Sequence, residues 1–182
     1  MLGSKPVVAL LWVAIVVATS GCQAQSPSGS QSAANAQGEA NKATMQRLYD
    51  AFGSGDTTIV DSALAENFVE HQVMTGFAPG REGLKQLIAG MKVGFPDLKL
   101  GAHQMSADSD LVWAHSSFTG TNTGPFMGTK ATGKPIDVEA FDLVRFEGGK
   151  IVEHWGIADN MAMMQQLGRG GPMAAGKKPG MK

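Results

Sequence analysis

Two aspartates and a tryptophan toward the C-terminal end have the types and spacing to do chemistry. Gly148-Gly149 is a two-residue hairpin signal between two runs of alternating apolar residues, and pairing Glu147 with Lys150 sets a register. In that register Phe146 faces Ile151, Val144 faces Glu153, Asp142 faces Trp155, Ala140 faces Ile157 and Val138 approaches Asp159. All lie on one side, because strand side chains alternate with period two. An ionised carboxylate among Val, Ile and Phe is costly unless it is paired or allowed to protonate. The pattern therefore predicts a pocket walled by Val138, Ala140 and Trp155, with Asp142 or Asp159 raised in pKa and able to act as a general acid or base. Each aspartate also has a purely structural use. Asp159 can cap a helix starting at Asn160, whose apolar Met161, Met164 and Leu167 follow at helical spacing, and Asp142 can accept from backbone or from the Trp155 indole.

The four histidines, His71, His103, His115 and His154, have no HExxH or HxH spacing, so no metal is expected. The hairpin register turns His154 away from Asp142 and Asp159. His71 ends a short extended segment before residues 72–80, where it can line a pocket rim or simply sit at the surface. His103 and His115 show no functional signal. Gly128 to Lys134 fits GxxxxGK, but Pro135 stands where a phosphate loop needs Ser or Thr, and the segment leads into a strand rather than a helix. Nucleotide binding is rejected on those grounds. No serine has a G-x-S-x-G context.

The elements that must position these residues follow from periodicity. Met45, Leu48, Tyr49 and Phe52 form one helical stripe ended by Gly53-Ser54-Gly55, and Ile59, Val60, Ala63 and Leu64 suit a second, shorter helix opened by Asp56. Phe68 to His71 is briefly extended. Residues 81–94 repeat the helical signature, and Pro96 stops it. Residues 98–106, 111–121, 136–147 and 150–158 alternate as strands, joined most simply as an antiparallel meander. Helices first and strands afterwards predict an α+β fold rather than a doubly wound sheet.

At 182 residues, 43% hydrophobic and 17% charged, the chain has material for one ordinary domain. Fifteen Lys and Arg against sixteen Asp and Glu leave a net charge of -1, so no basic field exists for nucleic acid. The lone Cys22 excludes an internal disulfide, a cysteine zinc site and an iron–sulfur cluster. Residues 1–21 read as a signal peptide: Lys5, then an apolar run from Val7 to Ala18, then Thr19-Ser20-Gly21 leading into Cys22. The end is similar to a bacterial lipobox, although Thr19 stands where an aliphatic residue is usual, and predicts a lipid on Cys22 anchoring the protein to the membrane at the cell envelope. An ordinary cleaved signal or an uncleaved anchor fits the same residues. Residues 22–39, rich in Ser, Gln, Ala and Gly, predict a disordered tether, and residues 169–182 a disordered tail around a domain at 40–168.

Several blocks in order resemble the SnoaL-like polyketide cyclase (ester cyclase) family of the nuclear transport factor 2-like superfamily. They are Phe95-Pro96-Asp97-Leu98, Phe118 to Gly128, Thr132-Gly133-Lys134-Pro135, Gly149 to Trp155, Asp159 and Gln166-Leu167-Gly168. The resemblance implies a cone: a strongly curved antiparallel sheet wrapped around N-terminal helices, enclosing an apolar pocket, and dimerising through its sheet. It also implies a pocket aspartate that performs an intramolecular aldol closure without metal or cofactor. Asp159 matches that aspartate best, with Asp142 second and with Trp155 and His71 lining the pocket. Asn122 stands where family members often have His. An export signal fits poorly with a cytoplasmic polyketide intermediate. Three functions therefore stay open: proton transfer on a small hydrophobic carbonyl compound, epoxide hydrolysis on a related cone, and non-catalytic binding of a small ligand or an envelope partner.

Overall fold

The computed structural model describes residues 28–72 and 76–169; the signal segment, Cys22 and most of the C-terminal tail lie outside the described residues. Three helices come first, interrupted by one strand: α1 (Ser28–Ser54), α2 (Thr58–Ala63), β1 (Leu64–Glu70) and α3 (Gly80–Gly94). The meander follows as β2 (Lys99–Asp108), β3 (Leu111–Thr121), β4 (Pro135–Glu147) and β5 (Lys150–Ala158), closed by α4 (Asn160–Gln166). The fold is α+β, a curved, unclosed five-stranded sheet with strand order β1-β5-β4-β3-β2.

Three features differ from expectation. The sheet is mixed, because β1 runs parallel to β5, pairing Glu70 with His154. Hairpin logic governs strands adjacent in sequence, and β1 joins the edge of β5 from more than eighty residues away. The stretch expected as a tether is helical from Ser28 onward. Once α1 is docked through Met45 and Tyr49, extending it adds one hydrogen bond per residue, and Ala- and Gln-rich sequence accepts that readily. Gly38 extends the contact: a Cβ there would lie 3.0 Å from the Ala107 Cβ on β2. In α4 the buried side chain is Met163, with Leu167 just beyond the helix, whereas Met161 and Met164 face solvent.

The core has two parts on the concave side. Met45 and Tyr49 of α1, Val60, Leu64, Phe68 and Ile88 pack on Val112, Val144, Phe146 and Ile151. Nearer α4, Phe95, Leu98, Phe126, Ile136, Val138 and Met163 form the second cluster. The loop between β3 and β4 is held by Asn122, which is fully buried. Its amide donates to the carbonyls of Gly94 (3.1 Å) and Gly124 (2.9 Å), and its oxygen accepts from the Thr132 N–H (2.9 Å) and hydroxyl (3.1 Å). Gly124 is obligatory beside it, since a Cβ would fall 2.0 Å from the Val93 carbonyl oxygen. Asn122→Ala strands several buried polar groups at once. Urea unfolding is expected to show a loss of roughly 2–4 kcal/mol, against a change within about 0.5 kcal/mol for the exposed Asn67→Ala.

Candidate active site

One extra residue in β5 decides which side chains reach the interior. The hairpin begins as its turn requires, with Glu147 opposite Lys150 and Phe146 opposite Ile151, but the next pair is Arg145 with Glu153. Val152 is therefore a bulge, and Ile151 and Val152 are both buried. Beyond it the strand is flipped relative to strict alternation. Asp142 lies opposite Gly156 and Val144 opposite His154, so His154 points inward with Asp142. Glu153, Trp155 and Ile157 turn to the convex face. The expectation that His154 turns away from Asp142 is thus corrected, and one-residue slippage is the reason.

The result is a continuous chain of polar contacts. The Tyr49 hydroxyl donates to Asp142 Oδ2 at 2.5 Å and the Ser116 hydroxyl to the same atom at 3.1 Å. His154 Nε2 lies 3.1 Å from Asp142 Oδ1, and its Nδ1 lies 2.7 Å from Glu70 Oε2. Each partner comes from a different element: Tyr49 from the buried stripe of α1, Ser116 from β3, Glu70 from the parallel neighbour β1. Gly156 makes room for the central contact, because a Cβ there would sit 2.7 Å from His154 Cε1 and 3.1 Å from Asp142 Oδ1.

These contacts set the charges. Burial alone would lift the Asp142 carboxyl, but the hydrogen bonds from His154 and Tyr49, the imidazolium charge and the Ser116 hydroxyl outweigh it and hold the carboxyl below its usual range. The expected rise at Asp142 is corrected accordingly. Burial likewise disfavours the charged form of His154, yet the two flanking carboxylates win and push it from 6.5 up to about 9. Tyr49 is raised above its ordinary value by burial, then by the charge and hydrogen bond of Asp142, so it stays a neutral donor. Near pH 7 the site holds an imidazolium between two carboxylates.

This chain is set into the wall of an apolar cavity of about 200 Å³ between α1, α3 and the concave face of the sheet. Phe68, Leu84, Leu87 and Phe118 are among its apolar lining, and Asp142, His154 and Glu70 are on its polar edge. Of the residues singled out by sequence, Asp142 and Ala140 line the cavity. Val138 is fully buried in the second core cluster instead. Trp155 and His71 stack on each other at 4.4 Å, within 4° of parallel, on the convex side, where His71 also faces Glu153 at 3.3 Å. Asp159 is exposed and accepts from the Ala162 N–H at 2.8 Å, which is the helix-capping use of that residue.

The family profile for SnoaL-like polyketide cyclase matches residues 42–167, the span that builds both the cavity and its polar wall. The chain belongs to the SnoaL-like polyketide cyclase family. Among solved structures it is similar to IdmH of Streptomyces antibioticus, a candidate polyketide cyclase, at 33% identity over 70% of this chain and 98% of that one, with a TM-score of 0.62. A candidate polyketide cyclase of Bacillus cereus matches at 30% identity over 70% and 80% of the two chains, with a TM-score of 0.63. TsrD of Streptomyces laurentii, at 24% identity over 72% and 96%, shares the fold with a TM-score of 0.66. No curated protein matches the sequence significantly.

Much of what identifies this SnoaL-like chain is architectural. Asp97 accepts from the Thr121 N–H (2.7 Å) and hydroxyl (2.9 Å), tying the end of α3 to β3. Gln166 accepts from the Asp137 N–H (2.6 Å) and donates to the Asp137 carbonyl (2.8 Å), pinning α4 to β4. Glu70, Tyr49, Ser116 and His154 were not singled out as site residues by sequence. Glu70 shares a strand face with Phe68, and Ser116 follows Val112 and Ala114 at period two, so both were placed facing inward by a pattern already visible.

The raised pKa of His154 links the site to stability. Its ion pairs contribute fully below about pH 6.5 and are lost as pH rises through about 9, a change of roughly 3 kcal/mol over that window. The depressed Asp142 carboxyl contributes above its ordinary 3.8 and is lost as pH falls through its lower folded value. Denaturation midpoints are therefore expected to fall between pH 6.5 and 9.5 in the wild type. They are expected to stay much flatter over that window in His154→Gln.

Proposed function

We propose that this chain takes a small, largely apolar carbonyl compound into the cavity and moves a proton on it without a cofactor, in an intramolecular aldol-type cyclisation or an isomerisation. The observation that carries the reading is the Tyr49/Ser116–Asp142–His154–Glu70 chain set into an otherwise apolar wall. The Asp142 carboxylate accepts a proton from a carbon of the substrate, leaving an enolate stabilised by the positive charge of the neighbouring His154 imidazolium. The enolate carbon then bonds to a second carbonyl of the same molecule, and the alkoxide formed takes the proton back from Asp142. A carboxyl held below its usual range is a weak base, so it needs an acidic carbon, one flanked by two carbonyl groups. That the family profile and the IdmH-like structures describe cyclases supports the same reaction class. A second reading, binding without turnover, draws on one observation: Asp142 already has donors in Tyr49, Ser116 and His154.

The N-terminal pattern around Lys5, the apolar run and Cys22 supports export and lipid attachment, which the intact mass of the mature protein would reveal. Trp113, Phe141 and Ile157 are exposed together on the convex face, which supports self-association through the sheet.

Deuterium exchange into a panel of small 1,3-diketones, followed by proton NMR, tests the reading without knowledge of the natural substrate. Asp142→Asn is expected to slow catalysed exchange by about 100-fold or more while retaining the fold, and Asp159→Asn to stay within about threefold of wild type apart from a small stability loss. Exchange that depends on Asp159 and not on Asp142 would overturn it. Ligand binding with no exchange in any protein would favour the binding role.

A further inference from the structure

We propose that His103, His115 and Glu139 form a binding site for a divalent transition-metal ion of the zinc or copper class, on the convex face of the sheet and separate from the cavity. The three residues stand on three adjacent strands, β2, β3 and β4, and offer one ligand atom each, all within 4.8 Å of one another. A second bulge lies at this point in the sheet. Ala102 pairs with Ser116 and Gln104 with His115, which leaves His103 as the extra residue. Ala102 and Met105 face the interior, and the two residues between them, His103 and Gln104, both face outward, so His103 stands beside His115. On the other flank, His115 pairs with Phe141 and Ser117 with Glu139, so Glu139 shares the outward face with His115.

The central ligand is held in place before any ion arrives. The His115 ring stacks on Phe141 with centroids 4.6 Å apart and planes within 7°, and its Nε2 contacts a Glu139 carboxylate oxygen. The His103 ring is 4.9 Å from it and tilted by 55°, an arrangement in which two imidazoles converge on a point rather than stack. Two imidazole nitrogens and one carboxylate oxygen suit zinc, copper or nickel and are a poor match for magnesium or calcium, which prefer all-oxygen shells. Bonds of about 2.0–2.2 Å set the ligand atoms roughly 3.3 Å apart, so the His115–Glu139 contact opens slightly while His103 adjusts, movements within reach of side-chain torsions. The site is open to solvent, so a fourth position is left for water. Its inward neighbours Ser116 and Ala140 are buried, and the sheet itself separates the ion from the cavity.

The test uses the untagged full-length chain, zinc chloride and a non-chelating buffer. Calorimetry is expected to show one equivalent bound with a dissociation constant on the order of micromolar, weakened about tenfold or more in each of His103→Gln, His115→Gln and Glu139→Gln. His71→Gln is expected to bind as wild type. Imidazole nitrogen spectra should show zinc shifting His103 and His115 and leaving His71 and His154 in place. All three ligands are at least partly exposed, and equal unfolding midpoints in chelator establish that the variants fold. No uptake by the wild type, uptake unchanged in the triple variant, or shifts confined to His71 and His154 would each overturn the proposal.

Discussion

An imidazolium held between two carboxylates in an apolar wall is the interaction on which the site depends. Three charges taken out of water carry a desolvation penalty that only close, well-directed contacts repay. Glu70, His154 and Asp142 meet that condition because each comes from a different strand at a fixed place in the register, and Tyr49 and Ser116 take up the remaining oxygen of Asp142. Two unremarkable-looking residues make the geometry possible. Val152 shifts β5 by one position, and Gly156 leaves the space that lets the ring approach the carboxylate. The parallel pairing of β1 with β5 supplies the third member, since no hairpin neighbour could place a carboxylate beside Nδ1 of His154.

That arrangement shapes the chemistry available. A cavity lined by Phe, Leu and Met suits an apolar ligand, and its polar edge at Asp142, His154 and Glu70 is where the proposed reaction would take place. Because the pair is charge-separated without a ligand, the field at the wall is preorganised, as the proposed enolate would require. The same sheet presents a different chemistry on its other side. There a second bulge leaves His103 as the unpaired residue of β2, on the convex face beside His115.

Periodicity made most of the architecture legible. The stripe Met45, Leu48, Tyr49, Phe52 gave a helix, the Gly148-Gly149 turn gave the last hairpin, and blocks such as Phe95-Pro96-Asp97-Leu98 gave the family. Those blocks are legible because they hold loops and helices to the sheet through the Asp97, Asn122 and Gln166 hydrogen bonds. The site was harder to see, since strict alternation assigns Glu153, Trp155, Ile157 and Asp159 to the interior and one inserted residue reverses all of them. The adjacent apolar pair Ile151-Val152 was the available signal, because two successive buried residues are incompatible with a regular half-buried strand. Glu70 was out of reach for another reason: nothing local to it announces a parallel partner at His154.

Titration of the His154 ring nitrogens by NMR, in the wild-type protein and in Asp142→Asn, tests this arrangement most directly. A doubly protonated ring at pH 7.5 that loses its proton near 9, with a clearly lower midpoint in the variant, is the expected result. A midpoint at or below the ordinary 6.5, or one indifferent to Asp142, would contradict the buried ion chain and the proton chemistry built on it.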